Sequence, residues 1–173
     1  MPTNVEIKAR VTDIANLRKR AAQLSGTDGQ TLEQEDTFFN CHNGRLKLRV
    51  EKGNPSELIF YSRPDQQGPK VSDFSKAGID QPENLKVVLS QALGVRGMVK
   101  KTRYLYMVGQ TRVHVDQVDG LGDFMELEVN LKEGQSAEEG QVIARDLMQK
   151  LGVKDEDLLT CAYMDLLLNE KSG

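Results

Sequence analysis

The sequence predicts an α+β protein in which helices cover one face of an antiparallel sheet. Much of the chain alternates apolar and polar residues, as half-buried strands do. These strands form two groups, and each group is interrupted or followed by segments whose apolar residues recur at helical spacing. With 173 residues and 38% hydrophobic content, the chain is long enough for one well-cored domain. We therefore expect a single domain over residues 1–173.

The first group begins with the stretch "NVEIKARV" (4–11), in which every second residue is apolar. The elements predicted after it are a helix at 13–24, a hairpin of strands at 34–41 and 45–51, and a strand at 56–64. Residues 65–80 mix Gly, Ser, Asp and Gln, a composition typical of turns. We expect them to form a long surface loop that could act as a flap over a binding site.

The second group opens with a helix that Pro82 begins and Gly94 ends. Three alternating runs follow, and they predict strands at 98–108, 111–118 and 123–131. Ser136 and Glu139 form a plausible capping box for a helix that ends near residue 151. A last helix is predicted from about residue 155 to 169.

Composition excludes several classes of protein. The net charge of −3 argues against a nucleic-acid-binding protein. No apolar run approaches the roughly 20 residues that span a bilayer, and the N-terminus lacks a signal-peptide layout. The two cysteines have no metal-like spacing, so we expect a reduced, cytoplasmic protein. No glycine-rich phosphate loop or nucleophile elbow is present. A monomer and a homodimer are both compatible with a chain of this size.

The polar sides of the strands carry charges of both signs. A sheet with one solvated face also alternates, but such a face tends to carry uncharged polar residues and lysine rather than many arginines and paired carboxylates. The cations on this side are Lys8, Arg10, Arg45, Lys47, Arg49, Arg63, Lys101, Arg103 and Arg112. The acids are Glu6, Asp36, Glu51, Glu57, Asp116, Glu126 and Glu128.

This charge pattern indicates a site for a metal–polyphosphate complex. Guanidinium and ammonium groups bind phosphate oxygens, whereas carboxylates without thiols suit a hard cation such as Mg²⁺ or Mn²⁺. Glu126 and Glu128 lie two residues apart, about 7 Å along a strand, so both project to the same side. If the sheet curls into a barrel, the charged side chains line its interior and keep it wet.

Four stretches resemble the CYTH superfamily, the triphosphate tunnel metalloenzymes: "NVEIKARV", "GRLKLRV", "VKKTRYLYMVGQTRVHVD" and "GLGDFMELEV". The similarity covers nearly the whole chain and is closest to the CyaB-type branch, the class IV adenylyl cyclases. It implies an eight-stranded antiparallel β-barrel, a triphosphate tunnel, with helices packed on the outside. It also implies a small-molecule triphosphate as the partner, bound with Mg²⁺ or Mn²⁺.

The resemblance also implies a role for each charged position. Metal binding falls on Glu6, Asp116, Glu126 and Glu128, and these four with Lys8 are the implied catalytic residues. The implied substrate contacts are Lys8, Arg10, Arg45, Lys47, Arg49, Arg63, Lys101, Arg103 and Arg112. The family's Glu-x-Glu-x-Lys signature falls on Asn4, Glu6 and Lys8, so this chain has an amide in place of the first acid.

Three functions are open at this point. The first is hydrolysis of the terminal phosphate of a triphosphate such as tripolyphosphate, ATP or thiamine triphosphate, and the retained Glu126–Glu128 pair leads us to favour it. The second is conversion of ATP to cyclic AMP and pyrophosphate, which the CyaB-type resemblance favours. The third is non-catalytic binding of polyphosphate or nucleotide, which Asn4 keeps open. The charged interior argues against a barrel that carries small hydrophobic ligands.

Overall fold

The computed structural model describes residues 3–62, 68–159, 163 and 166. Its strands are β1 (Thr3–Arg10), β2 (Gln30–Phe39), β3 (Arg45–Glu51), β4 (Ser56–Ser62), β5 (Lys70–Ile79), β6 (Val95–Val108), β7 (Thr111–Val118) and β8 (Gly122–Asn130). Its helices are α1 (Ile14–Ser25), α2 (Pro82–Leu93) and α3 (Ala137–Leu151), with a 3-10 turn at Asp155–Asp157.

The eight strands form a closed antiparallel barrel in the order β1-β5-β4-β3-β2-β6-β7-β8. Closure depends on β1, which pairs with β5 on one side and with β8 on the other. The predicted α+β class and the eight-stranded barrel are therefore confirmed. Within the described ranges no helix is long and apolar enough to cross a membrane.

The larger cluster of the hydrophobic core lies outside the barrel, between the strands and the helices α1 and α3. A smaller apolar cluster lies partly along the cavity inside the barrel. Apolar residues of β1, β7 and β8 are fully buried there, and they pack against Leu17 and Ala21 of α1 and Leu147 and Leu151 of α3. At Gly140 of α3 an added Cβ would lie 2.8 Å from a Val5 methyl group, so glycine permits the close approach of helix to strand. The polar sides of the strands are left facing inward.

The helix ends follow their sequence signals. Asp13 precedes α1, and its side chain accepts a hydrogen bond from the backbone N–H of Asn16. Ser136 precedes α3 and accepts from the N–H of Glu139, the capping interaction expected from the sequence. Because these caps fix where α1 and α3 begin, they also fix which helical residues meet the barrel.

The interpretation of residues 65–80 as a long surface loop was wrong, because Lys70–Ile79 form strand β5. β5 pairs with both β1 and β4, and it completes the closure of the barrel. Its polar composition hid the strand. Buried Ser72 faces the barrel interior, and Ser75 and Lys76 lie on the exposed half of β5, so hydrophobic alternation is missing.

The last predicted helix, 155–169, differs at its start. Residues 155–157 form a 3-10 turn, and Leu158 makes an isolated β-bridge with Ala9. Tyr163 and Leu166 are helical, and the other residues of 160–169 lie outside the described residues. The Leu159 N–H donates to the Lys8 carbonyl at 2.9 Å, so residues 158–159 pair with the end of β1.

Leu127→Ala tests the placement of the core on the outer face of the barrel. Leu127 is fully buried, so its truncation should lower the free energy of unfolding by about 2–5 kcal/mol, through lost burial and a cavity. Leu93→Ala is the control, because Leu93 of α2 is 42% exposed and its truncation should cost less than about 1 kcal/mol. Chemical denaturation measures both, and similar losses would contradict this placement of the core.

Candidate functional site

The barrel encloses a cavity that opens to solvent and is lined mainly by charged side chains. Strands β1 to β6 and β8 contribute to its lining, together with Tyr163. Bases outnumber acids on one part of this lining, and acids predominate on another. Acidic and basic side chains from the polar sides of the strands thus face the barrel interior, as the sequence predicts.

A buried carboxylate, Asp36 of β2, organises the basic part of the cavity. It is 1% exposed and lies directly opposite Arg49 in the β2–β3 ladder. Arg49 donates from Nε and Nη2 to the two carboxylate oxygens, each at 2.8 Å. The Nζ atoms of Lys101 and Lys47 lie 3.0 and 3.7 Å from Oδ2. One carboxylate therefore holds three cations, and we call Asp36, Lys47, Arg49 and Lys101 the basic cluster.

The charges of the basic cluster shift one another's titration. Burial alone would raise the pKa of the Asp36 carboxyl, but Arg49, Lys101 and Lys47 together hold it well below its ordinary value. Burial lowers the pKa of Lys101 to about 8, although Asp36 opposes this change. Burial and then Arg49 lower the pKa of Lys47 as well. Asp36 is thus ionised, and it leaves the cluster with more positive than negative groups, so the cluster suits an anion.

A second buried carboxylate, Asp116 of β7, holds Arg103 of β6. Arg103 donates from Nε and Nη2 at 2.8 Å each, and the Tyr163 hydroxyl donates to Asp116 Oδ2 at 2.7 Å. Burial opposes the charged form of Arg103, but Asp116 raises its pKa above the ordinary value. Burial and Asp116 raise the pKa of Tyr163. Asp116, a predicted metal ligand, therefore lies where both of its oxygens accept hydrogen bonds.

Acidic side chains of β1 and β8 line another part of the cavity, and His114 of β7 lies beside them. One ligand atom each from His114, Glu126 and Glu128 lie within 4.8 Å of one another, and we call these three residues the acidic cluster. Glu6 lies opposite Glu128 in the β1–β8 ladder and lines the same cavity. Burial and Arg103 lower the pKa of His114 well below its ordinary value, so its imidazole is neutral. These residues could hold a divalent cation.

Lys8 and Arg103 connect the two parts of the cavity. The Lys8 Nζ lies 3.7 Å from Glu126 Oε2 and 4.0 Å from the centre of the Tyr163 ring. Arg103 Nη2 lies 3.9 Å from the same Glu126 oxygen. A ligand that bridges the basic and the acidic clusters would therefore pass Lys8 and Arg103.

Three of the remaining predicted substrate contacts lie among the described residues but do not line the cavity. Arg10 is exposed, with its guanidinium carbon 5.4 Å from the centre of the Phe124 ring. Arg45 and Arg112 are half-buried and are not among the described residues that line the cavity. Arg112 donates from Nε to His114 Nε2 at 3.4 Å. Arg63 lies outside the described residues.

Sequence reasoning missed three residues of the site. Asp36 lies on the charged side of its strand, but the sequence assigns it no role. His114 and Tyr163 likewise receive no role from the sequence, yet His114 lies beside Glu126 and Glu128 and Tyr163 lines the cavity. The registers of two hairpins were enough to predict two of the contacts in the site. A two-residue turn at 109–110 sets Arg103 opposite Asp116, and the turn after residue 41 sets Asp36 opposite Arg49.

The profile of the CYTH domain matches residues 2–163. The chain belongs to the CYTH family. Its relatives include a putative adenylate cyclase of Methanocaldococcus jannaschii, which is 23% identical over 94% of this chain and 97% of the relative. They also include the adenylate cyclase CyaB of Aeromonas hydrophila, which is 25% identical over 94% of this chain and 87% of that protein.

Solved structures share the fold of this CYTH protein. A protein of Pyrococcus horikoshii superposes with a TM-score of 0.81 and 25% identity, over 94% of this chain and 98% of that chain. A putative adenylyl cyclase of Hippeastrum, described as having a dominant triphosphatase activity, has a TM-score of 0.64 and 14% identity. That superposition covers 98% of this chain and 96% of the Hippeastrum chain. CYTH proteins are generally enzymes that act on triphosphates.

Asp36→Asn tests whether one carboxylate supports the basic cluster. The substitution leaves three buried cations without their counter-ion, and it should lower the free energy of unfolding by about 3–5 kcal/mol. Asp28→Asn is the control, because Asp28 is exposed and its substitution should stay within about 0.5 kcal/mol. Equal stability of the two variants in urea would contradict the role of Asp36.

The pH dependence of the free energy of unfolding is a second test of the role of Asp36. The folded-state pKa of Asp36 is below its unfolded value of about 3.9, so its contribution is complete above that pH. The contribution is lost as the pH falls through the folded-state pKa. Urea denaturation between pH 2 and pH 6 should therefore give a steeper acid loss for the natural protein than for the Asp36→Asn variant.

Proposed function

We propose that this CYTH protein is a divalent-metal-dependent enzyme that hydrolyses the terminal phosphate of a triphosphate. The observation that carries the proposal is the meeting of a basic and an acidic cluster in one cavity. A polyphosphate alone would suit the first cluster and a metal ion alone the second. A metal–triphosphate complex suits both.

In this proposal the phosphate chain binds to Lys8, Lys47, Arg49, Lys101 and Arg103. Asp36 and Asp116 orient the two arginines by two-point hydrogen bonds, and each guanidinium keeps further N–H groups for phosphate oxygens. Because these side chains are held before the ligand arrives, little side-chain ordering is needed on binding. Arg10, Arg45, Arg63 and Arg112 stay predicted contacts outside this central set.

The metal ligands in this proposal are Glu6, Glu126 and Glu128. Their oxygens are the donors that Mg²⁺ and Mn²⁺ prefer, and the neutral His114 imidazole adds a nitrogen donor that Mn²⁺ accepts. Asn4 adds a buried amide oxygen that has no hydrogen-bond partner among the described residues. The donor set therefore fits such a cation. Bound there, the ion would offset the charge that develops on the phosphate oxygens during transfer.

Asp116 takes a different role from the one implied by the family resemblance. Its two oxygens accept hydrogen bonds from Arg103 and Tyr163, and it is fully buried. We propose that it acts by positioning Arg103, which in turn contacts the phosphates. Lys8 lies between Glu126 and the Tyr163 ring, a position from which it would neutralise the phosphate nearest the acidic cluster.

A class IV adenylyl cyclase is the second candidate, and the names of the Methanocaldococcus and Aeromonas relatives favour it. In that reaction the ribose 3′-hydroxyl of ATP would attack the α-phosphorus, and pyrophosphate would leave. The Hippeastrum protein supports hydrolysis, because a CYTH-type putative cyclase is there described with a dominant triphosphatase activity. Both reactions need the same phosphate and metal contacts.

Product analysis separates the candidates. We expect orthophosphate to be released when the protein is incubated with Mg²⁺ or Mn²⁺ and ATP, tripolyphosphate or thiamine triphosphate in turn. Cyclic AMP with pyrophosphate would instead establish the cyclase, and binding without any turnover would overturn the enzyme proposal. EDTA should abolish the release, because it removes the cation.

Glu126→Gln should reduce turnover by about 100-fold or more, because it removes a charge that the cation requires, while the protein stays folded. Glu133→Gln is the matched control, since Glu133 is exposed outside the barrel, and it should keep full activity. Circular dichroism checks folding in both variants. Full activity of the Glu126→Gln variant would refute the metal assignment.

A further inference from the structure

Tyr163 reaches the site from outside the barrel strands. Among the described residues that line the cavity, it is the one that no strand carries. Its side chain is 5% exposed, and the centre of its ring lies 5.1 Å from that of the Phe124 ring. The proposed hydrolysis assigns no role to Tyr163, although its hydroxyl contacts a carboxylate on which the site depends.

The Tyr163 hydroxyl binds the carboxylate that holds Arg103. It donates to Asp116 Oδ2 at 2.7 Å, and the same oxygen accepts from Arg103 Nη2 at 2.8 Å. Burial and Asp116 raise the pKa of the phenol, so it keeps the proton that it donates. A hydrogen bond to an ionised acceptor is about twice as strong as a neutral one. The hydroxyl therefore fixes the orientation of the Asp116 carboxylate.

The orientation of Asp116 matters because a second acid lies near Arg103. Arg103 Nη2 is 3.9 Å from Glu126 Oε2, whereas its two bonds to Asp116 are 2.8 Å each. The guanidinium is planar, and it makes both bonds only when the carboxylate lies in the matching plane. If Asp116 turned, Arg103 would lose one bond and could move closer to Glu126. The Tyr163 hydroxyl thus opposes a shift of Arg103 toward the acidic cluster.

Packing explains the ring of Tyr163 but not its hydroxyl. The ring belongs to the apolar cluster that includes Val99 and Phe124, and phenylalanine would fill the same space. The Lys8 Nζ lies 4.0 Å from the centre of the ring, a contact that phenylalanine would also provide. A hydroxyl costs free energy to bury unless it has a hydrogen-bond partner. Asp116 is that partner, so its bond accounts for a tyrosine at this position.

We propose that Tyr163 is a positioning residue, which acts on the bound phosphates through Asp116 and Arg103. This inference rests on the proposed function, and it adds a residue that contacts neither the phosphates nor the cation. The hydroxyl holds Asp116, and Asp116 holds Arg103 by two of its N–H groups. The remaining N–H groups of Arg103 then bind phosphate oxygens from a fixed position.

Tyr163→Phe tests the proposal, because it removes the hydroxyl and keeps the ring. Tripolyphosphate is the probe, and calorimetry in EDTA measures its dissociation constant without turnover. The variant should bind tripolyphosphate about tenfold more weakly, since Arg103 is no longer held in place. Tyr106→Phe is the matched control, because Tyr106 is also buried but its hydroxyl accepts from Arg18 outside the barrel. The control should bind tripolyphosphate as the natural protein does.

A double-mutant cycle separates positioning from a general effect on the cavity. Arg103→Lys keeps the positive charge but cannot make the two-point bond to Asp116. If Tyr163 acts through Arg103, adding Tyr163→Phe to Arg103→Lys should change the affinity for tripolyphosphate by less than about twofold. A further loss of about tenfold in that background would overturn the positioning role.

NMR of the arginine Nε–H groups gives a second readout, which needs no ligand. The resonance of Arg103 is identified by its absence in Arg103→Lys, and it should shift in Tyr163→Phe but not in Tyr106→Phe. An unshifted resonance, an unchanged affinity of Tyr163→Phe, or no binding of tripolyphosphate to the natural protein would overturn the role of Tyr163. A loss of affinity in a protein that releases no orthophosphate would support that role and overturn the proposed hydrolysis, so the two failures are distinguishable.

Discussion

The two-point hydrogen bonds of Asp36 with Arg49 and of Asp116 with Arg103 are the interactions on which the site depends. Buried arginines and lysines cost free energy unless each finds a partner. Each carboxylate lies directly across a ladder from its arginine, so the strand register itself supplies the partner. The barrel can thus hold a basic lining before any ligand binds.

This internal charge explains why the larger cluster of the hydrophobic core lies outside the barrel. A small barrel usually fills its interior with apolar side chains. Here charged side chains occupy that space, so the opposite faces of the strands must bury their apolar residues elsewhere. Helices α1 and α3 cover them, and Gly140 brings α3 close to β1. Stability therefore comes mainly from the strand–helix layer, while the interior remains available for binding.

Strand positions and their inward charges could be predicted from the sequence because alternation with a period of two is a local signal. β5 could not be predicted in this way, since polar and glycine residues interrupt the alternation along its exposed half and its partner β1 is distant in sequence. The partners of Asp116 illustrate the same limit. The pairing of Arg103 with Asp116 could be predicted from the register of the hairpin. Tyr163 is 47 residues from Asp116 in the sequence, and only the closed fold brings the two side chains together.

The site differs from a uniformly polar tunnel in one respect. Phe74 and Tyr61 lie opposite each other and form an apolar surface near Lys47. The basic cluster lies on β2, β3 and β6, whereas the acidic cluster lies on β7 and β8.

The central claim is that the barrel interior binds a metal–triphosphate complex. A crystal structure with Mn²⁺ and an ATP analogue that has a non-hydrolysable methylene bridge between its β- and γ-phosphates tests it most directly. The anomalous signal of Mn²⁺ should lie among Glu6, Glu126 and Glu128, with the phosphates on Lys47, Arg49, Lys101 and Arg103. Manganese or phosphates found only on the outer surface of the barrel would contradict the account.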